Sequence, residues 1–353
     1  VTARRRYLIL APGAFADRGA KTAHGVIAYA DDPTVAVVDP TLSGKRVRDV
    51  LPHLRSDAPI VEDVASGLWY EPTSLLIGLA PPGGKLPASW RAEIAVAIRA
   101  GLEIVSGLHD VLGADDEFAR LAAEHGTRIW DVRIPPPSPL FSGDVYRLDA
   151  VGVLTVGSDC AVGKMTTALE LTRIARAQGR HAKFVPTGQT GIMIAGWGIS
   201  IDRVISDFAP GAAESLVCEA ARDADLLFIE GQGAINHPAY GQVTLALLYG
   251  TAPDALVLCH LASRTRIEGY GTPILPYPEL IRAYESLCAW VKPAKVVGIA
   301  LNTYGLSDAE AWRAIEDARA RTGLPADDVV RFGGRAFYDA IAPSLTKRQP
   351  ITA

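Results

Sequence analysis

The chain has 353 residues, room for two domains that each bury a core of their own. An apolar share of 49% and a charged share of 21% are ordinary for a globular enzyme, and a formal net charge of −4 supplies no broad basic face for nucleic acid. No apolar stretch approaches membrane-spanning length, and the apolar segment after Arg4-Arg5-Arg6 is too short for a signal peptide.

In chain order, residues 7–11 read as a first strand, followed by a polar, glycine-containing segment and a helical stretch. The β-branched run 34–39 ends in Asp39, as strands of Rossmann-like domains do. No G-x-G-x-x-G follows the first strand, so Asp39 is weak support for NAD. Strands at 74–80, 103–106 and 128–132 alternate with helices at 89–100 and 116–125, which implies parallel strands in one sheet with helices on its faces. Pro135-Pro136-Pro137-Ser138-Pro139 can continue neither strand nor helix and sets the expected boundary between a domain at 1–139 and one at 140–353.

The second half is organised around residues 151–167. An apolar run of strand type passes through a glycine-bounded loop into a segment with helical spacing, and this makes an anion cradle. Loop N–H groups, the helix dipole and Lys164 all contribute positive charge. Against the pattern G-x-x-x-x-G-K-[ST], Ser158 holds the first glycine position, Gly157 precedes it, and Met165 replaces the hydroxyl after the lysine. The expected phosphate loop is Gly157, Ser158, Asp159, Cys160, Ala161, Val162, Gly163, Lys164, Met165, Thr166 and Thr167. The alternation then resumes, with strands at 181–185, 226–229, 255–259 and 295–301 and helices at 210–221, 241–248, 277–290 and 308–321. A short strand–helix pair closes the chain. The fold class is α/β, two parallel sheets, the first Rossmann-like and the second P-loop NTPase-like.

The four cysteines, Cys160, Cys218, Cys259 and Cys288, show no C-x-x-C, so neither a zinc site nor a disulfide framework is expected. Cys160 lies in the loop, where a helix N-terminus lowers a thiol pKa, although a small residue in a tight turn explains it more simply. Functional residues of such sheets collect at the carboxyl ends of strands. There stand Glu230, a candidate general base; His237 in Asn236-His237-Pro238, a second base candidate; Gln189 and Thr190, candidate substrate contacts; and Asn302, whose amide suits an adenine edge.

Gly157-Ser-Asp-Cys-Ala-Val-Gly-Lys164 resembles the G-T-D-T-x-V-G-K loop of dethiobiotin synthetase, and Glu230-Gly-Gln-Gly233 resembles its E-G-A-G-G. The longer GSDCAVGKMTTALEL, with FVPTGQTGIMI, FIEGQGAINHP, LLIGLAPPGGKLP, GLHDVL and DVRIPP, resembles the D-glutamate N-acetyltransferase family. That resemblance implies a Rossmann-like domain joined to a P-loop domain, acetyl-CoA as cosubstrate, and D-glutamate as acceptor. Acetyl transfer then asks for a base, Glu230 before His237, and for cations facing two carboxylates, with Lys21, Arg264 and Arg266 as candidates. Met165, and Val185 where the synthetases carry lysine, speak against phosphoryl chemistry. An ATP- and Mg2+-dependent ligase or carboxylase of the synthetase kind and a non-catalytic nucleotide-binding regulator are the alternatives. No resident metal is expected, and a need for Mg2+ stays open. The remaining expectation is a cytoplasmic homo-oligomer acting on a small molecule, without nucleic-acid or membrane partners.

Overall fold

The computed structural model describes residues 4–79, 81 and 84–347. They form two compact units, the first reaching to residue 134 and taking in 189–200, the second of residues 135–188 with those from 201 onward. The return of 189–200 to the first unit has no counterpart in a boundary drawn at 139.

The first unit carries the strands β1 (Tyr7–Leu10), β2 (Thr34–Val38), β3 (Ile60–Val61), β4 (Ser74–Ile77), β5 (Glu103–Ser106) and β6 (Ile129–Asp131), in the order β3-β2-β1-β4-β5-β6. All pairings are parallel. Tyr-Leu-Ile-Leu and Ser-Leu-Leu-Ile are buried at every position, as parallel strands covered on both faces require. The strand expected to reach Ala80 ends at Ile77, and Ala80 lies outside the described residues. The helix Asp116–His125 starts where the Asp115 carboxylate accepts from the Glu117 and Phe118 N–H groups and stops at left-handed Gly126. Asp39 is fully buried and accepts from the Gly13, Phe15 and Thr41 N–H groups, so it ties down the loop after β1.

Gln189 and Thr190, the candidate substrate contacts, open the helix Gln189–Ala195 in this unit. Ile192 and Met193 bury themselves in its core, and that apolar pair is what a solvated turn would waste. The Thr190 hydroxyl meets that of Thr22 at 3.0 Å, and Gln189 Oε1 accepts from Arg133 Nε at 2.7 Å.

The second unit carries β7 (Val151–Gly157), β8 (Ala182–Val185), β9 (Leu226–Ile229), β10 (Ala255–Leu261), β11 (Lys295–Asn302) and β12 (Ala326–Asp327), again all parallel, in the order β12-β11-β10-β7-β9-β8. The chain leaves β7 for the far edge, returns to β9 on one side of β7 and crosses to β10 on the other. The reversal opens a crevice at the carboxyl end of β7, where ligands of open α/β sheets bind. The loop after β7 is therefore flanked by the ends of β9 and β10.

Candidate active site

The strand β7 is buried throughout and delivers Ser158 and Asp159 into the interior with no exposure at all. Ser158 shares a 2.8 Å hydrogen bond between its hydroxyl and His260 Nδ1, at the end of β10. Burial, and then the Arg264 charge, hold the His260 pKa down at about 4, so the ring is neutral at physiological pH. Further along, Ala161 and Gly163 adopt φ of 53° and 107°, both left-handed. Such a conformation costs an alanine about 1–2 kcal/mol and persists where the surroundings compel it.

Lys164 is the first residue of the helix Lys164–Ala177, whose opening N–H groups have no acceptor within the helix. Its side chain is only 6% exposed, and Nζ donates to the Asp159 carbonyl at 2.8 Å. Burial lowers its pKa, while Cys160, Cys259, Asp159 and Glu230 favour the charged form. The side-chain nitrogen thus lies inside the loop, where burial works against its charge. Met165 and Thr166 are half-buried, and the Thr167 hydroxyl turns into the core to accept from Cys259 Sγ at 3.6 Å.

Asp159 anchors the loop. Its Oδ1 accepts from the Cys160 N–H at 2.6 Å, and its Oδ2 accepts from Arg264 Nη1 and from the Glu268 N–H, each at 2.9 Å. Arg264 also donates to the Cys160 carbonyl at 2.8 Å and pairs with Glu268 at 3.0 Å. Arg264, a candidate substrate cation, thus also shapes the loop. Arg266 is exposed and donates to the Gly271 carbonyl, and Lys21 is exposed at the start of the helix Lys21–Tyr29 in the first unit.

Glu230 follows β9 and is 6% exposed. Its Oε2 accepts from the N–H groups of Thr187 at 3.0 Å and Gly188 at 3.1 Å. Burial pushes its pKa up to about 7, against those two donors and Lys164, with the Asp202 charge adding to the rise. The next residue packs so closely that a Cβ on Gly231 would fall 1.7 Å from the Thr155 carbonyl oxygen and 3.2 Å from Lys164 Cδ. A carboxyl whose pKa is raised to about 7 thus lies in the segment that packs against the Lys164 side chain. Such pairs concentrate where proton transfer is done.

His237 is 4% exposed and reaches the same loop from the segment after Glu230, with Nε2 3.7 Å from Asp159 Oδ1. Its ring lies 4.6 Å from that of Tyr240 at a tilt of 33° and meets Tyr270 edge-on at 5.2 Å. Nδ1 accepts from the Ala239 N–H at 3.1 Å, which puts the proton of the neutral ring on Nε2, towards the loop. The ring expected as a second base candidate thus turns its Nε2 towards Asp159. Asn302 ends β11 near Gly163, and its Oδ1 already accepts from the Tyr304 N–H at 3.0 Å. Asp159, Cys160 and His237 each place one ligand-type atom within 4.8 Å of the others, the grouping closest to a metal triad among the described residues. The Arg264 guanidinium stands in the same place, so a further cation meets a positive charge there.

Ser158–His260 and Asp159–Arg264 were missed in the sequence reading as structural pairs. The available signal was a polar residue at the end of β10, where strand ends of this sheet collect function. No helix among the described residues is long and apolar enough to cross a membrane.

Fold and site together define a P-loop protein in which an anion cradle faces a carboxyl of neutral pKa. Residues 139–338 match a P-loop domain described as a domain of unknown function, DUF1611_C, and residues 40–135 match its Rossmann-like companion, DUF1611_N. A protein of Tritonibacter scottomollicae named D-glutamate N-acetyltransferase is 39% identical over 272 residues, 76% of this chain and 81% of that one. A protein of the same name from a Pseudoalteromonas species is 40% identical over 274 residues, 77% and 81% of the two chains. The crystal structure of a DUF1611 family protein from Anabaena variabilis ATCC 29413 aligns with a TM-score of 0.91 at 40% identity, covering 96% of this chain and 100% of that one. The chain belongs to the DUF1611 family, in the branch of the D-glutamate N-acetyltransferases, and is an enzyme of the acyltransferase class.

Proposed function

We propose that the protein transfers the acetyl group of acetyl-CoA to the amine of D-glutamate. The observation that carries the site assignment is the Glu230 carboxyl, held at about 7 in the segment that packs against the Lys164 side chain. An α-amine is mainly protonated at neutral pH and must lose a proton to attack a thioester. A carboxyl of pKa about 7 is matched to that task, because it takes and returns a proton at the working pH.

With Glu230 as the base, the acyl group of the donor belongs beside it. The pantetheine arm of CoA separates its diphosphate from its thioester by far more than the distance across one phosphate loop. A diphosphate in the cradle would leave the thioester out of reach of Glu230. The loop in this reading serves the acyl end of acetyl-CoA, where Lys164 and the opening N–H groups of the helix Lys164–Ala177 stabilise the tetrahedral oxyanion. Asn302 fits the same reading: the amide edge expected to read adenine has its oxygen engaged by Tyr304.

The test is direct. Purified protein with acetyl-CoA and D-glutamate should release free CoA and form N-acetylglutamate, with L-glutamate a poorer acceptor. Absence of CoA release with any acidic amino acid would overturn the assignment. Lys164→Met separates the two roles of the loop: loss in kcat with KM for acetyl-CoA unchanged supports the acyl end, and a rise in KM with kcat preserved returns the loop to the diphosphate.

A further inference from the structure

The segment after β8 grips two side chains at once. Thr187 is fully buried, and its N–H and that of Gly188 both donate to Glu230 Oε2, at 3.0 and 3.1 Å. The Thr187 hydroxyl donates to the Glu230 carbonyl at 2.7 Å, which leaves that hydroxyl to accept from Gln232 Nε2 at 3.3 Å. The Thr187 carbonyl accepts from the same Nε2 at 2.6 Å. A carbonyl can only accept, so the nitrogen of the Gln232 amide faces Thr187 and the amide oxygen turns from it. The Gln232 backbone is fixed as well, since its carbonyl accepts from the buried Thr244 hydroxyl at 2.7 Å.

Each side chain is thus held by one polar atom, and the other, Oε1 in both, has no donor among the described residues. The two ends border the same spot. A Cβ added at Gly188 would stand 3.2 Å from Glu230 Oε1 and 3.8 Å from Gln232 Nε2. Gly188 does not have the left-handed backbone that calls for glycine, so what its missing side chain provides is room. Gly188 and Gln232 are half-buried, which lets a ligand reach the buried Glu230 from their side. The acceptors decide what binds there. Two oxygens repel a carboxylate and match a group with several N–H donors, and the Glu230 charge favours a cationic one. The Asp202 charge acts on the same carboxyl and adds to that preference.

We propose that Glu230 Oε1 and Gln232 Oε1 together seat the amino group of the acceptor, Gln232 holding the nitrogen while Glu230 takes its proton. The proposal rests on the acetyl-transfer reading above. The acceptor arrives as an ammonium and donates one N–H to each oxygen. One proton passes to the Glu230 carboxylate, which becomes the carboxyl. The neutral amine keeps its N–H bond to Gln232, and its lone pair is left for the acetyl carbon. Glu230, titrating near 7, makes this transfer at the working pH, and the uncharged Gln232 orients the nitrogen without competing for the proton.

The experiment separates the amine from the rest of the acceptor. Gln232→Met keeps the length of the side chain and removes both polar atoms of the amide. In the full-length enzyme KM for D-glutamate should rise at least about 10-fold, with KM for acetyl-CoA unchanged. Glutarate carries both carboxylates and no amine, so its inhibition constant against D-glutamate should be the same in wild type and variant. Gly188→Ala leaves the bonds of Thr187 in place and sets a methyl group 3.2 Å from Glu230 Oε1, in competition with the amine. It should raise KM for D-glutamate in the same selective way, which keeps the test intact should Gln232→Met fail to fold. Acetyl transfer in which both variants retain the wild-type KM for D-glutamate overturns the amine seat and leaves the acetyltransferase reading standing. An equal loss for glutarate and D-glutamate also overturns it, because it marks a general distortion of the segment. Mg2+ binding that Gln232→Met abolishes assigns the two oxygens to a metal and overturns it as well. No CoA release with any acidic amino acid sinks both.

Discussion

The burial of Glu230 makes a prediction that needs no substrate. Its folded pKa is raised from 4.5 to about 7, and burial is the leading cause. The native state therefore binds this proton more tightly than the unfolded chain. That contribution is fully present below about 4.5, the unfolded value, and is lost as pH rises through about 7. At about 1.4 kcal/mol for each pH unit, the interval corresponds to about 3 kcal/mol of stability missing at pH 8. Glu230→Gln keeps the shape and an acceptor for the Thr187 and Gly188 N–H groups but cannot ionise. The variant should match the wild type near pH 4 and exceed it by about 3 kcal/mol near pH 8, or about 6–12 °C in midpoint for a unit of this size. Urea or thermal denaturation of both proteins across that range measures the difference. A gap that stays constant from pH 4 to pH 8 would refute the claim that burial neutralises Glu230. The same variant should lose at least about 10²-fold in turnover, so stability and activity should move in opposite directions.

Three further outcomes follow from the geometry. Gly231→Ala places its Cβ 1.7 Å from the Thr155 carbonyl, a backbone atom that cannot yield, and should cost at least about 4 kcal/mol or prevent soluble expression; a wild-type melting temperature would contradict the packing. Lys292 pairs with Asp254 at 2.6 Å, each side chain 1% exposed, and Lys347 reaches the same carboxylate only at 3.5 Å. Lys292→Met should destabilise by about 3 kcal/mol in urea titrations, since it strands the Asp254 charge, and a loss below about 1 kcal/mol would mean that Lys347 compensates fully. Because the Arg264 guanidinium supplies positive charge at the loop, exhaustive EDTA dialysis should leave the acetyl-transfer rate unchanged, whereas loss restored by Mg2+ or Zn2+ would contradict that electrostatic assignment.

Much of the architecture was legible before any coordinates. Parallel strands buried on both faces must be short continuous apolar runs, and Tyr7–Leu10, Ser74–Ile77 and Leu226–Ile229 announce themselves as such. The phosphate loop was legible for the same local reason, since strand, left-handed turn and helix start occupy consecutive residues. Glu230 and Asn302 could be placed because each ends a strand whose apolar run is visible in the chain.

What only the tertiary structure decided depends on residues far apart along the chain. Gln189–Ala195 folds into the first unit because Ile192 and Met193 find apolar partners there, a choice that no local pattern encodes. Arg264 reads as a free cation in sequence and becomes a loop anchor only when β10 lies beside β7 and brings it to Asp159, 105 positions earlier. The neutral-range pKa of Glu230 is likewise a property of burial, and burial is a sum over every element packed around the site. The approach of His237 to Cys160 has the same origin: a loop histidine and a loop cysteine become a pair only when two strand ends converge. Sequence determines which groups are available to the site because composition and local spacing are covalent facts, whereas their protonation and partners follow from packing.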